Sequence, residues 1–145
     1  MAGVRIDVAP DLAYVRVVRL VAVSLARLNG IAEEVVEDVR LAVGEACSRA
    51  VAAHARADLK APVIVDFQED PGLTVTVNDI VPLPHASGAE AVALLGDKTS
   101  PDDPPSHHQQ DASEVIALLE GLTDAVSVST GHSGTSVTLH WSGRR

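Results

Sequence analysis

The chain has little of what usually fastens or fills a small protein. Its 145 residues include one Trp, one Tyr and one Phe, so aromatics make up only 2%. The core must therefore be packed from Val, Ala, Leu and Ile, which supply most of the 46% hydrophobic content. The single Cys47 cannot form an internal disulfide, and at a small-residue position of an apolar helix face it reads as a buried, inert thiol. Positive charge is scarce: 11 Lys and Arg stand against 20 Asp and Glu, a net charge of −9. That balance excludes a nucleic-acid binder, which needs cations to neutralise phosphates. Long hydrophobic runs are missing too. The longest, from Val17 to Leu28, is broken by Arg19, Ser24 and Arg27 and cannot span a bilayer. No basic segment followed by an apolar run and a cleavage site opens the chain, so a cytoplasmic protein without a membrane partner is expected. A single domain over residues 1–145, large enough to bury a core, is the expectation from length.

What is present is strong helical and strand patterning. Val35/Val36, Val39, Ala42/Val43, Ala46/Cys47, Ala50/Val51 and His54 recur at the spacing of one helix face, with no Pro between them. A helix from about Ala32 to Ala57 follows, ended by Lys60-Ala61-Pro62. Glu45 and Arg49 are four residues apart on its exposed side, and a helix-surface ion pair between them is expected. His54 falls on the apolar face and reads as a satisfied core histidine.

An earlier helix carries Leu12, Val15, Val18/Arg19, Ala22, Leu25 and Leu28 as its stripe, with Asp11 as cap and Asn29-Gly30 as terminator. Arg19 and Arg27 read as a solvated basic edge. Val4–Val8 is a short strand. Residues 63–67 and 73–77 alternate around Glu69-Asp70-Pro71-Gly72 and predict an antiparallel hairpin, as do 126–130 and 135–141 around Gly131-His132-Ser133-Gly134. Between the hairpins, Pro-rich residues 81–111 form a long loop, with a short helix at Glu90–Leu95. Asp111 and Glu114 have capping-box spacing and open a third helix. The order predicts an α/β (α+β) two-layer sandwich, helices on one face of a mostly antiparallel sheet.

Asp38-Val39-Arg40-Leu41-Ala42-Val43-Gly44 followed by Glu45, Ala50 and His54 resembles the N-box helix of the GHKL (histidine-kinase-type, Bergerat-like) ATPase fold. Within that fold the chain is most similar to bacterial anti-sigma factors that double as serine kinases of anti-anti-sigma proteins. The resemblance implies a catalytic role for Glu45 as general base, adenine recognition by Asp79, and a terminal Gly-Thr box at Gly134-Thr135. It implies a lid at 81–111, a partner contact at Arg16, and a homodimer formed through the sheet edge and first helix. The implied partners are a sigma factor and a STAS-domain anti-anti-sigma protein; the implied cofactor is ATP or ADP with Mg²⁺.

Three boxes depart from the family pattern. Arg49 stands where the family has the Asn that helps hold Mg²⁺, and a guanidinium only donates hydrogen bonds, so at this cofactor position it either pairs with Glu45 or contacts a phosphate directly. Val81 and Leu83 replace both glycines of Asp-x-Gly-x-Gly, leaving Asp79 open to reading as an ordinary turn residue. Ser113-Glu114-Val115 replaces the Gly-x-Gly whose bare N–H groups cradle phosphate at a helix start. These departures predict weak or lost ATP use and a regulatory protein acting by partner switching, the alternative being an active ATP-dependent serine kinase. His85, His107 and His108 with Asp102 and Asp103 lack the spacing of a metal site, and no metal is expected.

Overall fold

The computed structural model describes residues 3–69, 71–82 and 107–143, with side chains in the last stretch from Val115 onward. Within these residues a mixed α/β fold sets three helices against one open, fully antiparallel sheet of five strands. The strands are β1 (Gly3–Val8), β2 (Val63–Gln68), β3 (Leu73–Asn78), β4 (Ala125–Gly131) and β5 (Gly134–Trp141), in the order β1-β2-β3-β5-β4. The helices are α1 (Val15–Leu28), α2 (Glu33–Arg56) and α3 (His107–Leu122), with a 3₁₀ turn at Leu12–Tyr14 before α1. Both hairpins form as their alternation predicts, and β3 pairs with β5 to join them.

The register stacks one face into a core. Val65, Val77, Val137 and Val128 form one cross-strand row, and Phe67, Val75, Leu139 and Val126 the next. Against this face α2 sets Val36, Val39, Ala42, Val43, Ala46, Cys47, Ala50 and Val51, all buried. Small β-branched residues and alanines bring α2 close to the sheet, which is how so few aromatics suffice. The opposite face is polar: the Thr76 and Thr138 hydroxyls lie 3.3 Å apart and Thr74 Oγ1 meets His140 Nδ1 at 2.9 Å. Trp141 Nε1–H donates to the Leu122 carbonyl at 2.8 Å, fastening the end of α3 to the last strand.

Several local expectations are corrected. Leu12 and Leu28 are exposed, so the buried stripe of α1 is Val15, Val18, Ala22, Leu25 and Ala26. Arg19 is no solvated edge residue: its guanidinium lies over Gly44 of α2, where a Cβ would stand 2.1 Å from Arg19 Nε. Arg27 pairs with Glu33 at 2.9 Å across the α1–α2 junction, raising its own pKa and lowering that of the carboxyl through their hydrogen bond. The pair is exposed and adds little to stability. α2, by contrast, ends at Arg56, within a residue of the expected Ala57, where Asp58 adopts a positive φ of 53° and the Leu59 N–H returns to the His54 carbonyl at 2.9 Å. α3 begins at His107, so Asp111 is an interior residue rather than its cap. No Pro follows Pro105, and nothing in His107–Gln110 stops the helix from extending a turn earlier. The expected 81–111 loop is therefore helical from 107; residues 83–106, with the Glu90–Leu95 helix, lie outside the described residues.

Cys47 is fully buried, and desolvation pushes its thiol up to about 11, with nearby Arg19 pulling slightly the other way. At pH 8 roughly one thiol in a thousand would be ionised, and that fraction is shielded. Ellman's reagent should therefore leave the native protein unlabelled at pH 8 and label one thiol per chain in urea. Prompt native labelling would contradict the burial.

Candidate functional site

Four residues singled out in the sequence, Arg49, Asp79, Gly134 and Thr135, converge at one end of the sheet. The β3–β5 ladder is the cause. Asn78 pairs with Ser136, so the next residues outward, Asp79 and Thr135, must meet. The Asp79 N–H donates to the Thr135 carbonyl at 2.9 Å, and the Thr135 N–H donates to Asp79 Oδ1 at 3.2 Å. Asp79 Oδ1 also accepts the Val81 N–H at 3.0 Å, which folds the chain back immediately after the strand.

Gly134 permits this approach. Its φ is +120°, and a Cβ there would lie 1.9 Å from the Asp79 carbonyl oxygen. The Gly of Gly134-Thr135 thus serves the backbone contact with Asp79, and the buried Thr135 supplies an N–H to it.

Arg49 comes from the middle of α2 and its Nη2 donates to Asp79 Oδ2. The expected surface pair with Glu45 is corrected: Arg49 turns inward, and its side chain is 9% exposed against 1% for Asp79. A buried carboxylate carrying two backbone N–H bonds still needs a counter-charge, and Arg49 is the cation within reach. Its Nε is buried with no hydrogen-bond partner among the described residues. Glu45, one turn earlier on α2, is half-buried and makes no ion pair among the described residues. Arg16 lies apart from this cluster on the exposed side of α1.

Sequence reasoning placed His54 in the core but missed its part in the site. Its Nδ1 meets the Ala61 carbonyl at 2.9 Å and its Nε2 meets the Ile80 N–H at 3.0 Å. A carbonyl accepts and an amide donates, so the ring is the neutral tautomer protonated on Nδ1. Arg49 and His54 thereby hold consecutive residues, Asp79 and Ile80, against α2. The available signal was a lone histidine on an otherwise apolar stripe, which must satisfy two ring nitrogens away from water.

Ser113, Glu114 and Val115 lie well inside α3, whose first residue is His107. They do not form a helix N-terminus, so the backbone N–H groups at this point are engaged within the helix. Among the described residues no group of three or more His, Cys, Asp or Glu is placed to hold a metal ion. No helix among them is long and apolar enough to cross a membrane.

The model of the histidine kinase-like ATPase domain matches residues 8–141, nearly the whole chain. The protein belongs to that family. A search of curated proteins found no match to it.

Proposed function

We propose that this histidine kinase-like ATPase domain is a regulatory binding protein of the anti-sigma-factor type, with weak or lost ATP use. It binds a sigma factor, a STAS-domain anti-anti-sigma protein, or both in turn, and acts by partner switching. The observation that carries the reading is the Arg49–Asp79 pair. A magnesium-bound nucleotide does not suit these residues. Magnesium takes oxygen ligands, which a guanidinium lacks, and the Asp79 oxygen not bonded to backbone already holds Arg49. The interior position of Ser113–Val115 removes a further phosphate cradle.

The surface supports a binding role. Tyr14, Val17 and Leu20 are exposed around Arg16 at the start of α1, Leu20 at 61%. Apolar residues grouped this way on one helix face mark an interaction site more often than scattered ones do. A homodimer through α1 and the sheet edge, and a partner contact at Arg16, belong to this proposal. Switching requires that each ligand favour one complex over the other.

One observation favours the kinase instead: Glu45 keeps its carboxylate free of ion pairs among the described residues, as a general base must. Calorimetry separates the two. Titrating ATP with and without Mg²⁺ is expected to give no heat, while mixing with sigma factors and STAS proteins of the same genome gives a complex by sedimentation. Micromolar, Mg²⁺-dependent ATP binding with phosphate transfer to a STAS serine would replace the binding-protein reading with the kinase.

A further inference from the structure

We propose that the open edge of β4 is a docking site for an extended segment of a protein partner, which joins the five-stranded sheet as a further antiparallel strand. The segment carries apolar residues at alternate positions and a Lys or Arg at its C-terminal end. The inference goes beyond the proposed function, because it concerns a surface that involves neither ATP nor Arg16. It rests on that reading at one point only, the homodimer.

The ladder decides which backbone groups point off the sheet. The Asp79 N–H donates to the Thr135 carbonyl, so Thr135, Val137 and Leu139 turn their backbone groups toward β3. Ser136, Thr138 and His140 therefore turn toward β4, where they face Ser129, Ser127 and Ala125. The His140 carbonyl accepts the Asp124 N–H on that side. The N–H and C=O groups of Val126, Val128 and Thr130 are left pointing outward, and none of them is bonded to a described residue. Such an edge is a template for another strand unless charge, Pro or a bulge blunts it. The far edge is blunted, since β1 carries Arg5 and Asp7, paired at 3.2 Å. β4 has no charge and no Pro, and its register with β5 runs unbroken from Ala125 to Gly131.

The side chains define what fits there. Both core rows of the sheet stop short at this edge. Val65, Val77 and Val137 are at most 1% exposed, whereas Val128 at the end of their row is only partly buried; Val126 ends the Phe67–Leu139 row in the same way. An added strand covers these two valines with its own apolar side chains, which the strand period puts at every other position. On the opposite face Ala125, Ser127 and Ser129 are exposed and small, so nothing holds a neighbour away. Charge sets one end of the segment. Glu120 and Asp124 are exposed where α3 passes into β4, and neither forms an ion pair among the described residues. An antiparallel strand brings its C-terminal end beside them, and a cation is favoured there. A second copy of this chain does not suit the edge. The proposed homodimer takes α1 and the edge that adjoins it in sequence, β1, and a second self-pairing edge would build an open filament rather than a closed dimer.

The probe is a fluorescein-labelled, amidated peptide as long as β4, alternating Val and Thr and ending in Lys, with a second version ending in Glu. The wild type should bind the Lys peptide by anisotropy and prefer it to the Glu peptide. Amide exchange at Val126, Val128 and Thr130, fast in the free protein, should slow on binding. Val128→Pro removes an N–H that β5 does not use, so the hairpin stands while peptide binding falls about tenfold or more. If Val128→Pro does not fold, Glu120→Lys is an exposed change that should reverse the preference toward the Glu peptide. No binding by the wild type, equal binding by wild type and Val128→Pro, or an unchanged preference in Glu120→Lys would each overturn the proposal. So would slow exchange of those three amides in the free chain. A wild type that sediments as a larger species than Val128→Pro without peptide gives the edge to a second copy, and that too overturns it. ATP binding by the wild type defeats the proposed function and leaves the peptide result standing.

Discussion

Truncating one half of the Arg49–Asp79 pair, as in Arg49→Met, is expected to lower the unfolding free energy by about 3–5 kcal/mol, because it strands a buried charge. Both side chains are almost completely covered, at 9% and 1% exposure, so water cannot replace the lost partner. Against a total stability of roughly 5–15 kcal/mol for a domain, that is a large fraction. Asp79→Asn isolates the charge, since an amide oxygen still accepts from Val81 and Thr135. Asp79→Ala should be worse than Asp79→Asn, because those two amides also lose their acceptor. The double variant Arg49→Met/Asp79→Asn should fall well short of the sum of the single losses, with a coupling of about 2 kcal/mol or more. Urea unfolding of the four proteins measures it. Strict additivity would mean that the two groups do not interact in solution.

Gly134→Ala is expected to be as damaging, at roughly 3–5 kcal/mol, near the upper end of single substitutions. Two independent reasons act at this position. The φ of +120° is one that L side chains rarely adopt, and the new Cβ would sit 1.9 Å from the Asp79 carbonyl oxygen and 2.7 Å from Ile80 Cα. Both neighbours are backbone, so no flexible side chain can swing away. Relief would require β5 to separate from Asp79, breaking the Thr135–Asp79 bonds that build the site. Gly131→Ala, at the other side of the same hairpin, is the control. Nothing lies within 4 Å of a Cβ there, and the effect should stay within about 0.5 kcal/mol. Similar losses for the two variants would show that hairpin flexibility, not close approach, explains Gly134.

Much of the fold was legible because it rests on short-range periodicity. The helical stripe over residues 35–54 and the alternation in both hairpins each report which side faces the core, and burial agrees at Val39, Cys47, Val65 and Val137. Failures came where a neighbour distant in sequence mattered. Arg19 looks exposed by charge, yet Gly44 leaves a hollow on α2 into which it packs. Asp111 has the spacing of a cap, but a helix start depends on where the chain stops being helical, and His107–Gln110 offer no breaker. Leu12 and Leu28 continue the stripe of α1 in spacing, yet both stand exposed.

The candidate site shows the same division. Residue type and position along the chain were enough to pick out Arg49, Asp79, Gly134 and Thr135, and to show that Arg49 cannot ligate magnesium. Those are properties of side-chain chemistry, which the sequence by itself determined along with the order of elements and the family. The partner of Arg49 was decided only by the tertiary structure. Local spacing offers Glu45 at i−4, where an exposed pair stabilises by about 0.3–0.5 kcal/mol. The β3–β5 register instead buries Asp79 beside α2, and leaving that carboxylate without a counter-charge costs several times more. The stronger demand takes the side chain inward, and it arises from strand pairing across more than fifty residues, Thr135 to Asp79.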